Sequence, residues 1–154
     1  MPEGVEGLGN SAFSQCDRLK SVILPNSLRY IGENSFRYTV NLENINIPGN
    51  VGDIETNAFA YSGIKALSFN ESSEGRTLNV FNYAFNSCTR LKTIELASNI
   101  RNIGSDAFDG CNSVDSVISN VDPDSFIFDF AEFIAQIHQT HYIVLNLGLQ
   151  KSDI

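Results

Sequence analysis

The stretch from Leu19 to Phe36 reads LKSVILPNSLRYIGENSF, and the spacing of its apolar residues recurs through most of the 154-residue chain. The phenylalanine at its end returns at intervals of 23, 23, 26 and 23 residues, as Phe13, Phe36, Phe59, Phe85 and Phe108. An aliphatic residue stands five positions before each of them: Leu8, Ile31, Ile54, Val80 and Ile103. Self-similarity at a fixed period of this length is typical of repeat proteins, in which each repeat covers the apolar face of its neighbour.

The third copy departs from the pattern in two places. The segment from Phe59 to Ile64 is one residue shorter than its equivalents, and the link from Phe69 to Val80 is four residues longer. One residue lost and four gained account for the interval of 26 residues. Because a longer link costs little closure entropy, we expect the extra residues around Glu71–Arg76 to leave one face of the stack as a loop.

Each repeat has a strand half and a turn half. Leu19–Leu24 and Leu91–Leu96 end in the alternation that is typical of a short, half-buried strand. Pro25 and Pro48 end the strands of their copies, because proline lacks the N–H that a strand ladder needs. The Ile-Gly-x-x-Ala-Phe half is too short for a full helix, so it predicts a tight turn or a single helical turn with the phenylalanine pointing inward. Stacking at about 4.8 Å per coil then layers the phenylalanines in single file.

Composition limits the classes of function. The chain has ten Lys and Arg against eighteen Asp and Glu, a net charge of −8, and 42% hydrophobic residues. That fraction is enough for one domain with a buried core and argues against disorder. The absence of a basic cluster argues against a nucleic-acid partner. The absence of an uninterrupted apolar stretch of roughly 18 residues argues against membrane insertion.

The repeated columns resemble the leucine-rich repeats of the treponemal or BspA-like type. That pattern runs Leu-x-x-Ile-x-Leu-Pro, a short link, and Ile-Gly-x-x-Ala-Phe-x-x-Cys. Leu19–Pro25 joined to Ile31, Gly32 and Phe36 reproduces it, and so does Ile103–Cys111. The resemblance covers residues 5–120 and implies an α/β-type repeat solenoid. It would be a right-handed leucine-rich-repeat coil with short parallel strands on its concave face, turns or short helical turns opposite, and a C-terminal cap.

The resemblance also implies a role. Proteins of this type are displayed on, or secreted by, host-associated bacteria and some parasitic protists, and many are adhesins for host extracellular proteins or other microbes. We therefore expect a protein-protein interaction scaffold at the cell surface or secreted, which binds a host or microbial protein and is not an enzyme.

The two ends of the chain read differently. We expect residues 1–120 to form five repeats and to be a fragment at the N-terminus, because Met1–Val5 is similar to the end of a preceding repeat. No charged segment followed by an apolar one stands there as a secretory signal would. Residues 121–154 depart from the repeat pattern. Asp122–Ser125 is a helix-start signal with proline at the first helical position.

Three interpretations of residues 121–154 stay open. The first is a cap, a helix over the last coil followed by a strand at Tyr142–Leu147, which would cover open strand edges and apolar columns. The second is a degenerate sixth repeat, since Phe133, Tyr142 and Val144 keep the repeat spacing. The third is a homo-oligomer formed through residues 126–149, because so apolar a segment would be adhesive if left uncovered. Four of the eleven phenylalanines lie in it: Phe126, Phe128, Phe130 and Phe133.

The cysteines occupy one column of the repeat. Cys16, Cys88 and Cys111 each stand three residues after their phenylalanine, where the other copies have Thr39 and Ser62. Interchange among small residues is typical of an inward packing position, so we expect free structural thiols rather than a disulfide or metal framework.

No constellation in the sequence predicts catalysis. His138 and His141, near Asp129 and Glu132, fall short of the three or four ligands that a metal site needs. No phosphate-binding glycine loop or dinucleotide fingerprint is present. The sequence therefore predicts no catalytic residue, no metal site and no cofactor.

The candidate binding residues lie on the strands. Those expected to face outward from the concave sheet and to contact a protein partner are Ser21, Ile23, Asn44, Asn46, Ser68, Thr93, Glu95 and Ile118. Such faces are the usual binding surfaces of repeat proteins, although a merely solvated sheet would show the same polar pattern. Tyr38 and Tyr61 each follow a phenylalanine by two residues. They form either an exposed pair on the opposite side, of the kind that anchors interfaces, or part of the core.

Overall fold

The structure is a computed structural model, which describes residues 1–119, residues 128–137 and the backbone of residues 144–146. Within these residues there are ten strands and one helix. They are β1 Gly7–Leu8, β2 Tyr30–Ile31, β3 Asn44–Ile47, β4 Asp53–Ile54, β5 Ala66–Phe69, β6 Leu78–Val80, β7 Thr93–Leu96, β8 Ile100–Ile103, β9 Ser116–Ser119, α1 Phe130–Ile137 and β10 Val144–Asn146.

The strands form two parallel sheets, each of which takes one strand from successive coils. The first sheet has the order β1-β2-β4-β6-β8 and the second has the order β3-β5-β7-β9-β10. The predicted repeat solenoid is thus confirmed. The second sheet contains the strands that the sequence predicts, whereas the first sheet, formed around the aliphatic residues that precede the turn, was not predicted. Three of its strands have two residues and a fourth has three, too short for an alternation to show, and the burial of β8 does not alternate.

The phenylalanines lie in single file through the core, as predicted. Successive ring centroids from Phe13 to Phe108 are 5.2, 4.9, 5.1 and 5.0 Å apart, and adjacent rings are within 11° of parallel. All are completely buried except Phe13, which is partly exposed in the first coil. Inward residues of both sheets surround this column, so the core is one continuous cluster along the solenoid.

The turn that carries each phenylalanine joins neighbouring coils by backbone hydrogen bonds. In the second coil the N–H groups of Asn34, Phe36 and Tyr38 donate to carbonyls of the third coil, at 3.2, 2.7 and 3.0 Å. Residues two before and two after the phenylalanine adopt positive φ in most coils, for example Asn34 at 57° and Tyr38 at 60°. These left-handed residues keep every second N–H of the turn directed along the solenoid axis, which gives the turn side a ladder of its own.

The first coil forms no strand in the second sheet, so the strand predicted at Leu19–Leu24 is wrong. The Glu43 N–H donates to the Lys20 carbonyl at 3.1 Å, but the register of strand pairing begins between β3 and β5. The alternation of burial is nevertheless present, since Leu24 is buried and Ile23 is 81% exposed. The amino group of Met1 donates to the Ile23 carbonyl at 2.8 Å without forming a strand, and Val22 is only partly buried.

At the other end, α1 covers the last coil. Asp129 caps the helix by accepting a hydrogen bond from the Glu132 N–H at 2.9 Å. Phe133 is buried and meets the Phe108 ring edge-on at 5.3 Å. The Gln136 side chain accepts from the Phe108 N–H and donates to the Gly104 carbonyl, both at 3.0 Å. The N–H groups of Phe36, Phe59 and Phe85 donate to a backbone carbonyl of the next coil, and the Gln136 side-chain oxygen takes the place of that carbonyl for Phe108.

Strand β10 adds a fifth strand to the second sheet, but in a different register from the one the repeat spacing predicts. Leu145 pairs with Val117, whereas the spacing from Phe133 would place Tyr142 there. The link after α1 is therefore three residues longer than a normal repeat. The predicted helix start at Asp122–Ser125 lies outside the described residues, as do Tyr142 and His138.

The insertion in the third copy lies against its neighbours. The carboxylate of Glu71 accepts hydrogen bonds from the backbone and side chain of Ser98, and Glu74 pairs with Arg29 at 2.9 Å. A Cβ on Gly49 would collide with the Glu71 carbonyl, so glycine is required at this close approach. The predicted loop is thus held to the coils before and after it.

Candidate interaction surfaces

The second sheet places most of the predicted binding residues on one face. Asn44, Ala66, Thr93 and Ser116 form one row across β3, β5, β7 and β9, and Asn46, Ser68, Glu95 and Ile118 form the next. The side chains between these rows point inward, as the burial patterns of the four strands show. Ser21 and Ile23 are exposed in the first coil beside this face, without a strand. We call this set of outward residues the second-sheet face.

The second-sheet face is shallow and nearly neutral. A depression of about 310 Å³ lies over it, lined by residues of the first four coils including Ser21, Asn46 and Glu95. The Ser68 hydroxyl donates to the Asn46 side-chain oxygen at 3.1 Å. Beside it Lys65 and Glu43 form an exposed ion pair at 2.8 Å, and the hydrogen bond from Lys65 lowers the pKa of Glu43. Such a face fits a flat protein surface better than a small molecule.

Tyr38 and Tyr61 form the exposed pair that was one of the two alternatives. Their rings stack at 4.8 Å with 17° between planes, and the two side chains are 38% and 40% exposed. The Arg37 guanidinium carbon lies 4.9 Å from the centroid of Tyr38 and 5.7 Å from that of Tyr61. The core alternative for these residues is therefore wrong.

The backbone under this pair is strained. Both tyrosines have φ near +60°, a conformation costly for a bulky residue, by about 1–2 kcal/mol. Gly110 occupies the same position of the fifth coil without that penalty. Large aromatic side chains are thus held outward where glycine would fit more easily.

A groove of about 460 Å³ runs beside the tyrosine pair, lined also by Val40, Ser62, Gly63, Ser87, Thr89 and Arg90. Its floor is the place where the third copy is one residue short. The second coil has Val40 and Asn41 there, whereas the third coil has Gly63 alone. A Cβ on Gly63 would collide with the Val40 carbonyl, so this position carries no side chain. We call this feature the tyrosine groove.

Charge is distributed unevenly around the solenoid. No acidic residue lines the tyrosine groove, and its charged groups are Arg90 on the rim and Arg37 on the tyrosine rings. The face of the first sheet is acidic around Tyr30. Burial, together with the negative charges of Glu55, Asp53 and Glu33, raises the pKa of that tyrosine.

The sequence did not identify the groove, although it identified the tyrosines. Arg37 adjoins Tyr38 in sequence, and Arg90 lies two copies farther along. Their position beside Gly63 depends on the missing residue and on the left-handed turn. The deletion itself was the available signal, but its interpretation requires knowledge of which side of the coil it leaves open.

All three cysteines are free, as predicted, and two of them lie inward. Cys88 and Cys111 are buried free thiols that donate to the Phe59 and Phe85 carbonyls, at 3.3 and 3.1 Å. The hydrogen bond with Cys88 and burial raise the pKa of Cys111. Cys16 is free but exposed, so its predicted inward position is wrong.

Among the described residues no three His, Cys, Asp or Glu side chains are grouped to hold a metal ion. No helix in that part of the chain is long and apolar enough to cross a membrane. His138 and His141 are outside it.

The repeat pattern and the fold both match known proteins. Residues 1–115 and 76–131 match the BspA type leucine-rich repeat region, in six copies. The fold is similar to that of a leucine-rich repeat protein from T. pallidum, with a TM-score of 0.66 and 27% identity over 77% of this chain and 55% of that one. A leucine-rich repeat protein from Bacteroides ovatus gives 0.64 and 26%, over 77% and 30% of the two chains.

A leucine-rich cell surface protein from Faecalibacterium prausnitzii shares the fold at a TM-score of 0.71 and 22% identity, over 92% of this chain and 35% of that one. No curated protein matches this chain. The chain thus spans 55%, 30% and 35% of the lengths of these three structures. With a repeat match that extends over most of its length, the chain belongs to the BspA-type leucine-rich repeat family, whose repeats are typically non-catalytic.

Proposed function

We propose that this chain is an adhesin-like scaffold, at the cell surface or secreted, that binds a host or microbial protein through the second-sheet face. The observation that carries the proposal is the register of that face. Four parallel strands align their outward side chains in two rows, so neighbouring coils present one continuous surface.

The composition of the face supports a protein partner. Its outward side chains are short, polar or aliphatic, with Glu95 as the one charged residue in the two rows. Charged residues are depleted at the centres of protein interfaces, where desolvating an unpaired charge is costly. The exposed Ile23 lies beside the rows and supplies an apolar contact. The cell-surface location is supported by the family and by the cell surface protein that shares the fold.

The test obstructs the second-sheet face with bulky, positively charged side chains. Replacing Asn46, Ser68 and Glu95 together with arginine is expected to weaken binding to a purified extracellular-matrix protein at least tenfold, measured by biolayer interferometry over a panel of such proteins. The control variant replaces Ser11, Glu33 and Asn102 with arginine. It makes the same change of charge at exposed positions on other sides of the coil.

Equal binding by the triple variant, with an unchanged circular dichroism spectrum and melting temperature, would move the contact away from the second sheet. If no protein of the panel binds the full chain, the adhesin proposal fails. Weakening by the control variant to the same extent would show that net charge, rather than this face, governs the interaction.

The alternative of a homo-oligomer through residues 126–149 has less support. Within the described part of this segment, Phe133 and Ile137 are buried and Phe133 packs on the last coil. Multi-angle light scattering on the full chain tests it, and a monomer at micromolar concentration excludes it.

A further inference from the structure

We propose that the tyrosine groove is a second docking site, which binds a protein segment carrying a carboxylate next to an apolar side chain. This site shares no lining residue with the depression over the second-sheet face. Failure of either proposal therefore leaves the other standing.

The first argument is that, in the described part of the chain, the side chains of Arg37 and Arg90 lack hydrogen-bond and ion-pair partners. Among the described residues, neither the Arg37 nor the Arg90 guanidinium donates a hydrogen bond or forms an ion pair, and the Arg37 Nε atom is buried without a partner. A guanidinium has five N–H donors in a planar fork that matches a carboxylate. The chain has a net charge of −8, and the ion pairs among the described residues involve Arg29, Lys65 and Arg76. The Arg90 charge helps to lower the pKa of Glu43, but the hydrogen bond to that carboxylate comes from Lys65.

The second argument is the exposed apolar surface of the tyrosine groove. Tyr38, Tyr61 and Val40 are 38%, 40% and 46% exposed and border one cavity. Tyrosine and arginine are among the residues most enriched at the energetic centres of protein interfaces. The stacked rings and the arginine over them are held by each other, so little side-chain entropy remains to be lost when a partner binds.

The third argument is the shape of the groove. The missing residue at Gly63 leaves a notch between the second and fourth coils, bordered by Val40 on one side and Thr89 on the other. About 460 Å³ accommodates one or two side chains of a peptide rather than a whole domain. A carboxylate bound by Arg90 or Arg37 would then place a neighbouring apolar side chain in the notch.

The test is selection from a phage-displayed library of random 12-residue peptides on the immobilised full chain. We expect the enriched peptides to carry Asp or Glu within four residues of Tyr, Phe, Leu or Ile. A fluorescein-labelled peptide of this kind should bind the Arg37→Gln/Arg90→Gln variant at least tenfold more weakly by fluorescence polarisation. Tyr61→Ser should weaken it as well.

The matched control is Arg18→Gln/Arg101→Gln, which removes the same charge from exposed residues outside the groove and should leave peptide affinity within twofold. The arginine triple variant of the second-sheet face should also bind the peptide normally. Circular dichroism establishes that each variant is folded.

Several results would overturn the proposal. These are a library that yields no enriched peptide, enriched peptides without a carboxylate, or equal loss in the control variant. A dimer of the full chain that Tyr61→Ser converts to a monomer would also overturn it, because the groove would then be occupied by a second copy.

Discussion

Replacing Phe59 with alanine should destabilise the protein far more than replacing Phe13 with alanine. Phe59 is completely buried, and its ring stacks on Phe36 at 4.9 Å and on Phe85 at 5.1 Å. Phe13 is partly exposed and stacks on Phe36 at 5.2 Å, with no ring on its other side among the described residues. The two substitutions therefore remove the same atoms from the middle and from the end of one column.

The structure sets the two magnitudes. Truncation of a buried phenylalanine to alanine costs about 3–5 kcal/mol of unfolding free energy, including the cavity that it leaves. Each stacked pair adds about 0.5–1.5 kcal/mol beyond area burial, and Phe59 loses two, so we expect the upper half of that range, about 4–5 kcal/mol. At Phe13 water fills the space and about half of the transfer free energy is lost, which gives about 1–2 kcal/mol.

Urea denaturation followed by circular dichroism measures both values, provided that the slope m is unchanged. Leucine variants keep the measurement possible if Phe59→Ala does not fold. The stacked pair Phe36/Phe59 should then show a coupling of about 0.5 kcal/mol or more, whereas the distant pair Phe36/Phe108 should be additive within about 0.5 kcal/mol. Equal costs at Phe13 and Phe59, or equal coupling in the two pairs, would refute the nearest-neighbour reasoning.

Two further predictions concern the ends of the solenoid. Gln136→Leu leaves the Phe108 N–H and the Gly104 carbonyl without their partners and should lower the free energy of unfolding by about 1–3 kcal/mol. It should also speed hydrogen exchange of the Phe108 amide. Unchanged protection of that amide would contradict the role of Gln136 as a cap. One thiol per native chain should react with Ellman's reagent and three in urea, because Cys16 is exposed while Cys88 and Cys111 are buried. Cys16→Ser should abolish the native reaction, and a rapid reaction of all three native thiols would show that the inner column is open.

The sequence predicts the core because every coil of a stack has to place the same kind of side chain at the same inward position. Phe36 and Phe59 each need an equivalent ring above and below, so the spacing of these residues along the chain reveals their contact in space. The first sheet left no such signal, since a strand as short as Tyr30–Ile31 shows no alternation. The left-handed turn was hidden because Gln15 and Tyr38 occupy positions where glycine would have indicated positive φ.

The same constraint explains why the ends were predicted less well than the middle. Leu19–Leu24 carries the strand pattern, and the pattern alone cannot show that strand pairing with β3 fails there. Cys16 has the sequence position of Cys88 but not its burial. Gln136 stands in no repeat column, so its contact with the last turn follows only from the way α1 crosses it.

Inward residues are fixed by contact with neighbouring coils, so specificity for a partner has to come from outward residues and from changes in link length. Both irregularities of the repeat adjoin β5: the missing residue at Gly63 precedes it, and the loop Asn70–Arg76 follows it. The tyrosine groove thus lies at the N-terminal end of this strand, and the loop that is hydrogen-bonded to Ser98 lies at its C-terminal end. Strand β5 of the second-sheet face therefore lies between the two places where this chain departs from its own period. A partner that contacts β5 would meet features that a regular repeat does not have.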